Sequence, residues 1–183
     1  MRKLKNSELG RISVDNFRLA DKTPIIVILD NVRSAFNVGS IFRTSDAFRI
    51  EKLYLCGVTP FPPSKEIHKS ALGSTDSVSW EKEEKTEDVI CKLRRDGVGI
   101  LAVEQTDNSC LLNNYEMNDK RIALVFGHEV FGVSQSVIDL CDESIMIPQS
   151  GTKHSLNVSV TVVSSAIECI GTASKRTAVN TAS

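Results

Sequence analysis

Five short apolar runs set the limits on this fold: PIIVIL (24–29), KLYLCG (52–57), VGILAVE (98–104), RIALVFG (121–127) and SIMIP (144–148). Runs rich in Val, Ile and Leu with little alternation are strands buried on both faces, the habit of parallel sheets. The segments between them carry helical signals. Asn37 is placed to cap a helix with Val38, Ile41, Phe42 and Ser45 at helical spacing. Thr86 is placed to cap another, with an apolar face at Val89, Ile90 and Leu93, a basic last turn at Arg94 and Arg95, and a stop at Gly97. Ser134 opens a short third helix through Val137, Ile138 and Cys141. Strand–helix–strand repetition predicts an α/β fold on a parallel sheet. The proline-containing stretch VTPFPPSKEIHKSALGSTD (58–76) is read as one long loop with a functional role.

In such sheets ligands sit at the carboxyl ends of the strands. The polar and glycine-bearing clusters follow the strand ends: DNVRSAFNVG, EQTDNS, GHEVFG and PQSGTKHSLN. Four loops on one edge make one site.

Composition narrows the class without naming it. The chain has 183 residues, a net charge of −1 and a pI near 6.3, which gives no global signature of nucleic-acid binding. The charge is uneven, because residues 1–22 hold six Lys or Arg against three acids. The five cysteines show no C-x-x-C spacing, which argues against structural zinc and a disulfide framework; all five are read as reduced and inert. No cluster of His, Cys and Asp suggests a catalytic metal, and no G-x-G-x-x-G suggests a dinucleotide site. No apolar run approaches the roughly 20 residues that span a bilayer, and no apolar segment follows the basic N-terminus, so a cytoplasmic location is expected.

One segment resists this reading. HSLNVSVTVVSSAIE (154–168) alternates apolar and polar residues as a half-buried strand would, yet it runs on with no turn and sets Asn157 among apolar neighbours. A buried amide without a partner costs about 1–3 kcal/mol, so something should meet it.

Together with NVRSAFNVGSIFRTSDAF and LVFGHEVFGVSQSVIDLCDESIMIPQSG, this segment resembles, in order and spacing, the three motifs of the SpoU (TrmH-like) RNA 2′-O-ribose methyltransferases of the SPOUT class. The resemblance covers about residues 24–171, leaving a short basic extension (1–23) and a tail (172–183) read as disordered for want of apolar periodicity. It implies a parallel-sheet α/β fold with a deep C-terminal trefoil knot, S-adenosylmethionine held in that knot, and a homodimer whose active site is shared between subunits. It implies an RNA substrate, tRNA or rRNA, with a ribose 2′-hydroxyl as the methyl acceptor. The catalytic group carries over as Asn37, Arg43, Glu129 and Asn157. A guanidinium is hardly ever deprotonated, so Arg43 is assigned to orienting the ribose and stabilising the developing alkoxide. The competing reading leaves Arg43 as a solvated helix residue paired with Asp46 or Asp30. Glu129 matches a residue that supports the site by hydrogen bonds. The cofactor contacts carry over as Val103, Gly127, Ile147, Ser155 and Leu156, with Gly127 letting a ligand approach the backbone.

By the same resemblance, Leu156 to about Gly171 is helix, against its β propensity. Val160, Val163, Ile167 and Ile170 then form a stripe suited to a dimer interface. Arg33, Lys65, Lys69 and Lys153 are candidate phosphate contacts. With no separate RNA-binding domain ahead of the core, an accessory protein for RNA affinity is expected. The alternative function is a non-catalytic RNA-binding protein that retains the knotted cofactor pocket.

Overall fold

The computed structural model describes residues 1–115 and 121–180. Its strands are β1 (Thr23–Asp30), β2 (Ile50–Cys56), β3 (Trp80–Glu83), β4 (Gly99–Val103), β5 (Cys110–Leu111), β6 (Ile122–Phe126) and β7 (Glu143–Met146). Its α-helices are α1 (Val14–Leu19), α2 (Ala35–Ala47), α3 (Lys65–Ala71), α4 (Thr86–Arg95), α5 (Gln135–Ile138) and α6 (Val158–Asn180). The strands form one sheet in the order β3-β2-β1-β6-β4-β7-β5, with every pairing parallel. All five runs read as strands are strands.

Strand alternation explains why the runs are apolar throughout. On β1, Ile25, Val27 and Leu29 face one core with Val38, Ile41 and Phe42 of α2 and Val158, Val162 and Ala166 of α6. Ile26 and Ile28 face the opposite core with Val89, Ile90 and Leu93 of α4 and Val137 of α5. A sheet covered on both faces needs apolar side chains at successive positions, each contributing about 1.5–3 kcal/mol on burial.

The strand order decides where the site lies. β1, β6, β4 and β7 are consecutive neighbours. The four polar loops that follow them therefore emerge side by side.

Several local readings differ from the sequence expectation. Ser34, not Asn37, caps α2, and its side chain accepts from Asn37 N at 3.2 Å. Thr86 is the first residue of α4, and its hydroxyl donates to buried Asp30 Oδ1 at 2.6 Å instead of capping. The long loop contains α3, and β3 and β5 are added strands too short to carry a pattern. The final segment is helical, as the resemblance implies and the alternation does not. α6 continues past Gly171 into the stretch read as disordered; residues 181–183 lie outside the described residues. Its core face is Val158, Val162, Ser165, Ala166 and Cys169, while Val160 and Ile167 of the expected stripe are half exposed.

All five cysteines are free. Burial pushes the Cys56 and Cys141 thiols up to about 12 and Cys169 to about 11, so these three are kept as thiols. Cys91 is exposed. No helix among the described residues is long and apolar enough to cross a membrane.

Candidate active site

Asn157 stands just before α6, and its Oδ1 accepts from Ser159 N at 2.8 Å and Ser159 Oγ at 2.7 Å, a capping arrangement. Its Nδ2 donates to Asn37 Oδ1 at 3.2 Å. Asn157 itself is exposed, not buried as its apolar neighbours in the sequence suggested, so this bond links two motifs and does not rescue a buried amide. Asn37, almost wholly buried on the first turn of α2, passes the connection on: its Nδ2 donates to Glu129 Oε1 at 3.1 Å. The Glu129 carboxylate also accepts from Arg33 N and Ser34 N, each at 3.0 Å. One hydrogen-bonded chain thus ties together the three motifs of the sequence. Burial opposes ionisation of Glu129, but the N–H groups of Arg33, of Glu129 itself and of Ser34, with the Asn37 amide, outweigh it and hold the carboxyl below its usual range.

Beside this chain lies a cavity of about 330 Å³ at the carboxyl ends of β4, β6 and β7. Val103, Gly127, Ile147, Ser155 and Leu156, the five expected cofactor contacts, all line it, and so does Glu129. The loop after β1 does not line it; that loop is fastened to the site through Glu129.

The chain itself already requires glycine at 127, because a Cβ there would stand 2.1 Å from Gly132 C and Val133 N. His128 and Gly132 pair back to back, N to O at 3.0 and 2.8 Å, closing the 127–132 turn. Gly132 holds φ +69°, where its missing Cβ leaves room for the Glu104 carboxylate. His128 is structural, because its Nδ1 accepts from Val130 N at 2.9 Å and its ring lies 4.8 Å from that of Phe131.

Sequence reasoning missed Glu104 and Gln105. Glu104 Oε2 accepts from Val133 N at 3.0 Å and Oε1 from Gln105 N at 2.8 Å; Gln105 Nε2 donates to the His154 carbonyl at 2.7 Å. These bonds join the loop after β4 to both the 127–132 turn and the loop before α6. The one signal was an acid directly after a strand, and its partners are distant in sequence. Phe131, exposed on the cavity rim, was also missed.

Arg43 does not line the cavity. It lies with Phe36 on the solvent face of α2 and makes no hydrogen bond or ion pair among the described residues. The ion-pair alternative therefore fails: Asp46 accepts from Ser77 Oγ, and Asp30 accepts from Thr86 Oγ1, Asn31 Nδ2 and the N and Oγ of Ser134. Of the expected RNA contacts, Arg33 is exposed beside the Glu129 clamp, and Lys153 is exposed in the loop before α6. Lys65 opens α3, and Lys69 pairs with Glu66 at 2.7 Å.

Residues 24–164 match the model of the SpoU rRNA methylase family. The chain is 29% identical over 143 residues to the tRNA (guanosine(18)-2′-O)-methyltransferase of Escherichia coli K12, which covers 78% of this chain and 61% of that protein. It is 30% identical over 146 residues to the mitochondrial rRNA methyltransferase 1 of Dictyostelium discoideum, covering 77% of this chain and 28% of that protein. It thus spans less than two-thirds of the length of these curated relatives. Among solved structures, the A. aeolicus TrmH/SpoU tRNA modifying enzyme superposes with a TM-score of 0.79 at 26% identity, over 89% of this chain and 83% of that one. The AdoMet-bound rRNA methyltransferase of Sinorhizobium meliloti superposes with a TM-score of 0.75 at 28% identity, over 83% and 58%.

Proposed function

Because the chain belongs to the SpoU rRNA methylase family, we propose that it is an S-adenosylmethionine-dependent RNA methyltransferase that modifies a ribose 2′-hydroxyl of tRNA or rRNA. The observation that carries this reading is the hydrogen-bonded chain Glu129–Asn37–Asn157 beside a cavity lined by all five expected cofactor contacts.

The cavity suits the cofactor chemically. Its volume is in the range of small-molecule sites, and Val103, Ile147 and Leu156 supply apolar wall for an adenine ring. Two carboxylates, Glu104 and Glu129, line it and favour a cationic sulfonium. When bound, the cofactor supplies an electrophilic methyl group for in-line displacement by the ribose oxygen. Glu129 already accepts three N–H groups and is held below the usual carboxylate range, so it acts as a positioning residue and not as the base. Arg43 orients the ribose and stabilises the charge that develops on its 2′-oxygen. The hydroxyl proton passes to water.

Arg43 reaches a cavity through assembly. Phe36 on α2 and Val160 and Ile167 on α6 leave apolar surface exposed beside the Arg43 face, and α2 packs against α6. A homodimer formed through these faces sets the Arg43 of one subunit against the cavity of the other. The C-terminal knot, the cytoplasmic location and an accessory protein that supplies RNA affinity belong to the same proposal. Arg33 and Lys153 flank the cavity loops as phosphate contacts.

Calorimetric titration with S-adenosylmethionine, followed by methyl transfer to bulk tRNA and rRNA, tests the reading. Saturable binding with ribose methylation of one RNA class is expected. Arg43→Ala should keep cofactor affinity and lose roughly 10²–10³-fold in transfer rate, the scale of one lost charge-stabilising donor. Unchanged transfer in that variant removes Arg43 from the mechanism, and no cofactor binding removes the pocket.

A further inference from the structure

A second cavity, of about 660 Å³, opens where α3, the Pro62–Ser64 turn before it and the start of β3 meet. It shares no lining residue with the first. Its walls mix apolar surface from Pro62, Pro63 and Trp80 with polar groups from Lys65, His68 and Asp76. Trp80 is held in place, since its indole meets the Phe42 ring edge-on at 6.2 Å and packs on the core. Its Nε1–H nevertheless has no hydrogen-bond partner among the described residues, and neither have the side chains of Lys65, His68 and Asp76. Lys65, His68 and Asp76 are exposed at the mouth, so a fixed aromatic ring, an unpaired ammonium and polar side chains all stand open to a ligand with matching parts.

We infer that this cavity is a second nucleotide site, in which an unpaired nucleotide of the substrate RNA, distinct from the one methylated, stacks its base on Trp80 and sets its phosphate against Lys65. The substrate part of this inference rests on the proposed function; the site itself rests on the cavity. Stacking on a fixed aromatic ring is how proteins hold single-stranded bases whatever their sequence, and a lysine at the same mouth meets the backbone. Asp76 on the wall offers an acceptor to the exocyclic amine of adenine, cytosine or guanine, which uracil lacks. Lys69 is no competitor for the phosphate, because it is engaged with Glu66.

Trp80 is the one tryptophan of the chain, so its emission reports on this cavity alone. The full-length protein, saturated with S-adenosylmethionine, is titrated with a short single-stranded oligoadenylate while tryptophan fluorescence is read. Saturable quenching is expected. Lys65→Glu should weaken it about tenfold or more, and the fold survives because an acidic residue is at home in the first turn of a helix. Trp80→Phe keeps a ring against Phe42 and should leave oligoadenylate affinity, measured by anisotropy of a labelled strand, within a few-fold. Trp80→Leu should lower that affinity roughly 5- to 100-fold, the range for one lost base stack. Quenching by inorganic phosphate as strongly as by the oligonucleotide would mean an anion site only and would overturn the nucleotide assignment. So would the absence of saturable quenching, or quenching indifferent to Lys65→Glu. Methyl transfer with no Trp80 response overturns this site and spares the proposed function. A Lys65-dependent response without transfer to any RNA does the reverse.

Discussion

The Glu129 carboxylate accepts from two backbone N–H groups at the entry to α2 and from the Asn37 amide, and Asn37 in turn accepts from Asn157. A group whose folded-state pKa is depressed adds stability that is fully present above its unfolded value and is lost as pH falls through the folded one. For Glu129 the unfolded value is about 4.3. Glu129→Gln should therefore lower the melting temperature by a constant amount above about pH 5, with the gap to wild type closing as the pH drops below about 4. A pH series of thermal melts on the two proteins reads this directly; a gap that widens in acid contradicts the clamp. Asn37→Ala should remove the two side-chain bonds that join Glu129 to Asn157, at about 0.5–1.5 kcal/mol each, because the exposed Asn157 amide turns to water, and thermal melts read the loss. Neither residue's partner was visible in the sequence. Asn37 and Ser34 are both good helix caps three positions apart, and the choice between them was made by Glu129, 92 residues away. The apolar neighbours of Asn157 suggested a buried amide, whereas the residue is exposed just before α6 and its bond to Asn37 was not legible.

Among the elements, the strands were the most legible, because burial on both faces leaves only apolar residues and no competing period. α6 was the least, since its valines at 158, 160 and 162 satisfy a strand's period while its buried positions 158, 162, 166 and 169 satisfy a helix's. Tertiary packing decided: Val162 and Ala166 are fully buried against a core that only a helix could present them to. α3 was hidden in a stretch taken as loop because it is seven residues long. What fixes it in place is Gly39 of α2, whose absent Cβ would lie 2.1 Å from Ser70 Oγ and 2.4 Å from the Ile67 carbonyl. Gly39→Ala should thus force α2 and α3 apart and cost about 1–3 kcal/mol. For a chain of this size that corresponds to roughly 2–4 °C of melting temperature per kcal/mol. Adding Ser70→Ala should recover only part of the loss, because the Ile67 contact is backbone. A melt of the double variant equal to wild type would show that the side chain alone set the spacing.

At the scale of the whole molecule, the gathering of the four polar loops on one sheet edge was readable from the parallel-sheet rule, but the order in which they stand side by side was not. That depends on β6 inserting between β1 and β4, an order set by long-range pairing that no local pattern encodes. The same limit applies to Arg43, which lies exposed and without a partner among the described residues, outside the cavity that its own chain builds. If the functional unit is a two-fold dimer that shares its sites, Arg43 and Gly127 must act from different subunits. Arg43→Ala leaves a subunit with an intact cavity, while Gly127→Ala drives its Cβ into the Gly132–Val133 backbone and disrupts the cavity but keeps the Arg43 side chain. Each variant alone should be inactive in methyl transfer. Mixed, partly unfolded and refolded together, they should form mixed dimers in which one site combines the intact cavity of the first subunit with the intact Arg43 of the second. Random pairing of two subunits then restores roughly a quarter of wild-type activity. Sites built within single subunits can regain nothing, since every site would keep its own defect. Recovery of activity on mixing, set against the sedimentation behaviour of the same sample, therefore separates a shared site from one that merely dimerises.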